Sequence, residues 1–256
     1  MARVAVVGQS GTGKSWGAGA LIERVLDTNH PKNSGETFDL AVHFDIEDEE
    51  IGLSAADHDP LFRRLDVTHE MGQRINWPAM IWKFQRLRVV PDMNNKQAAD
   101  LYGCICGAVF RLVKDLRPSS TAFVSCDEAA QLVTQNGAHP DVLELQTRGR
   151  KYGAETLHAS QKPQQIHTTI VSEADRRCYF RINDDNALGK LQAQAGFNVN
   201  RVPGMEGRGI ADLNDREVVV ENNSTGDITV ESTEDWTRLR PHYADDDGIV
   251  DEVLPV

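Results

Sequence analysis

A mostly parallel, twisted α/β sheet flanked by helices is the fold class predicted for this 256-residue chain, and three observations predict it. An apolar run, Arg3-Val4-Ala5-Val6-Val7, leads through a glycine-rich loop at 8–15 into a helical pattern over 16–26. Further apolar runs at 39–45, 121–126 and 155–160 are bounded by turn signals and separated by helical patterns, the alternation that builds a parallel sheet. One of those runs ends in an acidic pair, Asp127-Glu128, at the strand end where such sheets hold their ligands.

The loop reads Gly8-Gln9-Ser10-Gly11-Thr12-Gly13-Lys14-Ser15, the spacing of a P-loop. Its chemistry needs a strand before it and a helix after it, because successive backbone N–H groups must aim at a phosphate lying on a helix N-terminus. Gly8 and Gly13 let the backbone curl tightly, and Gly11 adds freedom inside the loop. Residues 8–16, ending in Trp16, are the expected nucleotide-binding set. Lys14 is placed to reach the β- and γ-phosphates of ATP, and Ser15 to ligate Mg²⁺. Asp127 would hold that ion through its water shell, opposite Ser15. Glu128 would orient and deprotonate a water in line with the γ-phosphate, the pattern called Walker B. A small-molecule kinase shares this outline but has no use for a water-activating Glu128, so hydrolysis is preferred.

Composition sets the limits. The length suits one domain, here a motor core over about 1–185, a strand-rich C-terminal extension over 186–243 and an acidic tail over 244–256. With the first strand at residue 3, no separate domain, signal sequence or membrane anchor is expected ahead of it, which points to the cytoplasm. Four cysteines without paired ligand spacing read as buried, reduced thiols. The net charge is −12, from 39 acidic and 27 basic residues, of which 19 are Arg and 8 Lys. This balance argues against a general nucleic-acid coat and resembles a surface adapted to concentrated salt.

Along the chain, 29–37 reads as a polar loop, 51–60 as a loop rich in Asp and His, and 63–67 as a strand. His58 and Asp59 lack partners at ligand spacing and read as solvated loop residues rather than a metal site. Residues 77–90 predict an amphipathic helix ended by Pro91. Lys83, Arg86 and Arg88 would then form a solvated basic face, with DNA contact the sharper alternative. A second helix is predicted over 97–116, a third over 141–151 closed by Gly153, and a short one over 184–196. Residues 210–213 and 216–221 read as a hairpin around Asn214-Asp215, followed by a turn over 222–227 and a strand at 228–230, and 236–243 as a segment packing back on the body.

The run Arg148-Gly149-Arg150-Lys151-Tyr152-Gly153, leading into Glu155-Thr156-Leu157-His158-Ala159-Ser160-Gln161-Lys162-Pro163, resembles the FtsK/HerA superfamily of P-loop motors. There a Gly-Arg-x-x-Gly turn precedes a strand ending Ala-Thr/Ser-Gln-x-Pro. Asp45, Ile170 and the segment 177–181 also match that family's order of elements, so the resemblance spans about 3–185. It implies a RecA-like P-loop NTPase, here with a C-terminal β-hairpin extension, in which Gln161 is the γ-phosphate sensor. Arg150, matching the turn arginine, would reach the phosphates of a neighbouring subunit, with Arg148, Arg177 and Arg181 as rivals for that role. It further implies a homo-oligomeric, hexameric ring that moves double-stranded DNA. The lack of appended domains resembles the viral genome-packaging members, whose partner would be a capsid vertex or portal component.

Two alternatives stay open: a morphogenesis or secretion ATPase that moves protein, and a slow nucleotide-dependent switch. The acidic, Lys-poor composition adds a haloarchaeal source as an expectation. It predicts an unfolding midpoint markedly higher in molar KCl than at low salt, and equal midpoints in a thermal melt would sink it.

Overall fold

Apolar at every position, the run Val4–Val7 (β1) belongs inside a sheet covered on both faces. In the computed structural model, which describes residues 3–33, 35, 37–56, 59–242 and 253–254, it lies deep within one nine-stranded sheet. The elements follow as α1 (Lys14–Leu26), β2 (Leu40–Phe44), β3 (Arg63–Thr68), α2 (His69–Arg74), α3 (Trp77–Phe84), β4 (Arg86–Asp92), α4 (Asn95–Arg111) and β5 (Ala122–Cys126). Then come α5 (Pro140–Arg148), β6 (Ala154–Ser160), α6 (Thr168–Ser172), β7 (Arg176–Tyr179), α7 (Asp185–Gln192), β8 (Glu217–Asn222) and β9 (Asp227–Ser232). The strand order is β3-β4-β2-β5-β6-β1-β7-β8-β9. The first seven are parallel, and β8 and β9 join antiparallel beyond β7.

The strand period of two divides the core. Ala5 and Val7 face a cluster built with α4, including Leu101, Tyr102 and Ile105, while Val4 and Val6 face α1 through Leu21, Ile22 and Val25. Every helix start but that of α1 is fixed by a side-chain cap. Asn94 and Gln97 form a reciprocal capping box on α4, and Asp184 accepts from the Ala187 N–H to open α7.

Three expectations are corrected. The predicted 77–90 helix stops at Phe84, where Gln85 turns to φ 63, and 86–92 is instead the strand β4 between β3 and β2. Arg86 and Arg88 therefore do not lie on a solvated helix face with Lys83. Arg88 is fully buried, and its Nε and Nη2 donate to Asp45 Oδ2 at 3.0 and 2.8 Å. A charge so paired imitates, in sequence, the polar side of a helix. Residues 210–213 are likewise no strand: Ile210–Asp212 is a short helical turn held by its own Gly209 N–H to Asp212 Oδ2 bond of 2.8 Å, and the hairpin is β8 with β9. Cys106, Cys126 and Cys178 are buried free thiols as expected, but Cys104 is exposed on α4. His58 and most of the acidic tail lie outside the described residues. Within that tail, Leu254 donates its N–H to the Arg64 carbonyl of the edge strand β3 at 2.9 Å.

The segment after β9 does pack back, as expected, and buried charge holds it there. Trp236 packs on the α1 cluster. Arg238 bonds Glu50 and sits 3.6 Å from Glu23, and Arg240 reaches Asp27 at 2.8 Å, all of them buried. Glu23 also accepts the Arg240 N–H at 3.1 Å and the Leu239 N–H. Burial opposes the charge of the Glu50 carboxyl, but Arg238 and His242 beside it outweigh that effect and hold it well below its usual range. Removing one partner of such a pair strands the other in the core. Glu23→Ala is therefore expected to lower unfolding free energy by roughly 3–5 kcal/mol in a denaturant titration, and an unchanged midpoint would show the segment to be only loosely attached.

Candidate active site

Because β1 pairs in parallel with both β6 and β7, its carboxyl end delivers the glycine loop to the middle of the sheet edge. The Gly8 N–H donates to the Ser160 carbonyl at 3.2 Å and the Gln9 N–H to the Arg181 carbonyl at 3.0 Å, so the loop leaves the sheet clamped on both sides. Gly8 is required by space: a Cβ there would lie 2.4 Å from Phe180 Cβ. Gly11 and Gly13 are required by conformation, at φ 77 and 92. The Thr12 hydroxyl braces the loop by donating to the Gln9 carbonyl at 2.8 Å. Gly13 supplies α1 with no side-chain cap and the first turn carries no acidic residue, so the N-terminus keeps its positive pole for an anion.

Two separate motifs, the glycine loop and the acidic pair, meet at Lys14. Its Nζ lies 2.9 Å from Asp127 Oδ1, 2.9 Å from Glu128 Oε1 and 3.4 Å from Ser15 Oγ, and its side chain is only 2% exposed. Burial works against the ammonium, but the two carboxylates outweigh it and raise its pKa above the usual lysine value. Glu128 is held in the left-handed region at φ 47, an outlier of the kind that marks working sites, with its N–H on Asp127 Oδ1 at 2.8 Å. The Gln161 N–H lies 3.4 Å from Glu128 Oε2, because β6 runs level with β1 and ends beside it. Asp45, at the end of β2, is committed elsewhere, to Arg88 and to the Glu50 N–H at 2.9 Å.

A cleft of about 550 Å³ opens over this centre, and Gln9, Ser10, Gly11, Lys14, Ser15 and Trp16 form one side of it. The sequence reading missed the other side, where Glu49, Asp215, Arg216, Thr233, Glu234 and His242 come from a loop and from the C-terminal extension. No local motif marks those residues; the antiparallel return of β8 brings Asp215, Arg216, Thr233 and Glu234 over the loop. Among the described residues no cluster of three His, Cys, Asp or Glu side chains could hold a metal by itself. The Ser15 hydroxyl and the Asp127 carboxylate are hard oxygen donors that suit a Mg²⁺ arriving with phosphates and waters.

The arginines separate by position. Arg177 is buried on Glu221 at 3.2 Å and on the carbonyls of Val171, Ser172 and Gln194. Arg181 pairs with Asp215 at 2.7 Å near the cleft, and exposed Arg148 pairs with Glu144 one turn back on α5. Arg150 precedes β6, at the opposite edge of the sheet from Gln161 and about 20 Å away along a seven-residue strand. Its Nη1 rests 3.0 Å from Asp175 Oδ1 with the side chain 60% exposed, so it faces outward and cannot serve its own loop.

Comparison with known proteins places this geometry. The genome packaging NTPase B204 of Sulfolobus turreted icosahedral virus 2, in complex with ATP-gammaS, superposes with a TM-score of 0.63 at 15% identity over 90% of this chain and 97% of that one. B204 of Sulfolobus turreted icosahedral virus, the DNA-packaging ATPase, gives 0.60 at 13% identity over 90% and 97%. The chain shares the fold of viral genome-packaging NTPases. The resemblance read from its motifs is thus borne out in the fold, and a haloarchaeal source gains no support. No protein-family model matches the chain, and no curated protein does. Among the described residues no helix is long and apolar enough to cross a membrane.

Within this packaging-NTPase fold the loop has no room for a β-carbon at Gly8. Gly8→Ala would push β1 and β7 apart, because a β-carbon cannot rotate away from Phe180 Cβ. A loss of roughly 1–3 kcal/mol of stability together with loss of nucleotide binding is expected from a melt and a titration; a variant that melts and binds like the parent would show that the contact yields.

Proposed function

We propose that this protein is an ATP-hydrolysing, double-stranded DNA translocase that works as a homo-oligomeric, hexameric ring, in the manner of a viral genome-packaging motor. The observation that carries the reading is the meeting of Lys14, Asp127, Glu128 and Gln161 beneath one cleft at the carboxyl edge of the sheet. The fold shared with the packaging NTPases, one of them bound to an ATP analogue, supports it.

In this reading the loop N–H groups and the α1 N-terminus hold the phosphates, and Lys14 exchanges its carboxylate partners for β- and γ-phosphate oxygens. That exchange frees Glu128. Its carboxylate takes a proton from a water whose oxygen bonds the γ-phosphorus as the bond to the β,γ-bridging oxygen breaks and ADP leaves. Ser15 and Asp127 would hold Mg²⁺, which neutralises charge on the phosphates. Gln161, on the strand end beside Glu128, has an amide able to donate to a γ-phosphate oxygen and loses that partner on hydrolysis. Arg150, turned away from its own loop, suits a neighbour's site, where a guanidinium stabilises transition-state charge. A capsid vertex or portal component is the expected partner of such a ring.

ATP turnover with Mg²⁺, with and without double-stranded DNA, tests the reading. Stimulation by DNA is expected, together with loss of turnover but retained ATP binding in Glu128→Gln, and with loss of both in Lys14→Ala. Arg150→Ala mixed into parent protein should cut activity by more than dilution if the arginine acts between subunits. Turnover indifferent to DNA would favour the protein-moving or switch alternatives, and turnover retained in Lys14→Ala would overturn the site itself.

A further inference from the structure

Asp215, Arg216, Thr233 and Glu234 of the C-terminal extension line the cleft, and that extension is tied to the loop. The Arg216 N–H donates to the Thr12 carbonyl at 3.1 Å, with Arg216 held at φ 67. The stem of Arg216 lies over Gly13, where an added Cβ would sit 3.6 Å from Arg216 Cγ. Thr233 secures the same turn from the far end of the hairpin, its N–H and hydroxyl both donating to the Arg216 carbonyl, at 2.8 and 3.2 Å. Arg216 Nη1 then meets Glu234 Oε1 at 3.3 Å, with both side chains about two-thirds exposed along the cleft. Trp16, one residue past the P-loop, lines the same cleft.

We propose that Trp16, Arg216 and Glu234 form the nucleoside end of this cleft, receiving the base and ribose of a nucleoside triphosphate. The inference rests on the nucleotide reading of the loop. A P-loop grips phosphates through backbone N–H groups, so base and ribose must project beyond it along the cleft. What the chain places there is two flat faces, an indole and a guanidinium, which stack on the face of any base. Beside them stands a carboxylate that accepts from ribose hydroxyls or a ring amino group. The antiparallel hairpin is thereby part of the nucleotide site, and a ligand that moves Arg216 moves β8 and β9 with it.

Calorimetric titration of the full chain with ATP and with inorganic tripolyphosphate, in the same buffer, tests this. The parent should bind ATP more tightly than tripolyphosphate. Arg216→Ala should weaken ATP about tenfold, the size of one desolvated cation–π contact, and leave tripolyphosphate unchanged. Arg216→Lys keeps the charge and loses the planar face, so it should lose the same preference; a thermal melt of each variant checks that the hairpin is intact. Unchanged ATP affinity in Arg216→Ala would overturn the assignment, as would full retention of the preference in Arg216→Lys. Equal weakening of both ligands would overturn it too, placing Arg216 on the phosphates. A parent that binds neither ligand would remove the P-loop reading and the inference with it.

Discussion

The buried ammonium of Lys14 between Asp127 and Glu128 joins two stretches of chain more than a hundred residues apart, and the rest of the architecture holds those stretches within 3 Å of each other. The register of the sheet makes the encounter possible. β1 lies against β6 with Val7 opposite Ser160, and β6 against β5 with His158 opposite Cys126, so the loop after β1, the acidic pair after β5 and Gln161 after β6 share one edge. A one-residue slip would turn every side chain to the opposite face and separate the two core layers from their helices.

A second set of buried charges acts at a distance from the chemistry and constrains it. Arg88 fixes Asp45 at the end of β2, while Arg238 and Arg240 fix the segment after β9 onto α1 through Glu23 and Asp27 and onto the loop after β2 through Glu50. Buried ion pairs are poor sources of net stability but costly to break, so they serve to specify one arrangement. Here they hold a helix whose N-terminus is the anion pole and a segment whose end, at His242, borders the same cleft.

The sheet edge also separates two faces of function. The carboxyl edge carries the loop, the carboxylates and the sensor candidate; the amino edge carries Arg150, Arg3 and the Asp175 that both arginines share. Burial opposes the charge of Asp175, but the Arg3 hydrogen bond and charge outweigh it and lower its pKa. The arginine proposed for a neighbour's site is thus anchored on the edge opposite the glycine loop.

The candidate site residues that the structure brings together on one edge were legible in the chain itself. A P-loop must be contiguous because its donors are successive backbone N–H groups, Asp127-Glu128 and Gln161 each end an apolar run, and β-branched, fully buried strands announce a parallel sheet. What the tertiary structure decided was whatever depends on a partner far along the chain. Arg86 and Arg88 look like a helix face until Asp45 is seen beside Arg88, and the 210–213 run looks like a strand until its own turn bonds satisfy it. Arg216, Thr233 and Glu234 carry no signature at all, because the cleft they wall is formed only when β8 returns antiparallel across β7 and sets Arg216 against Thr12. Contiguous backbone chemistry leaves a pattern in sequence; a wall assembled by long-range pairing of side chains does not.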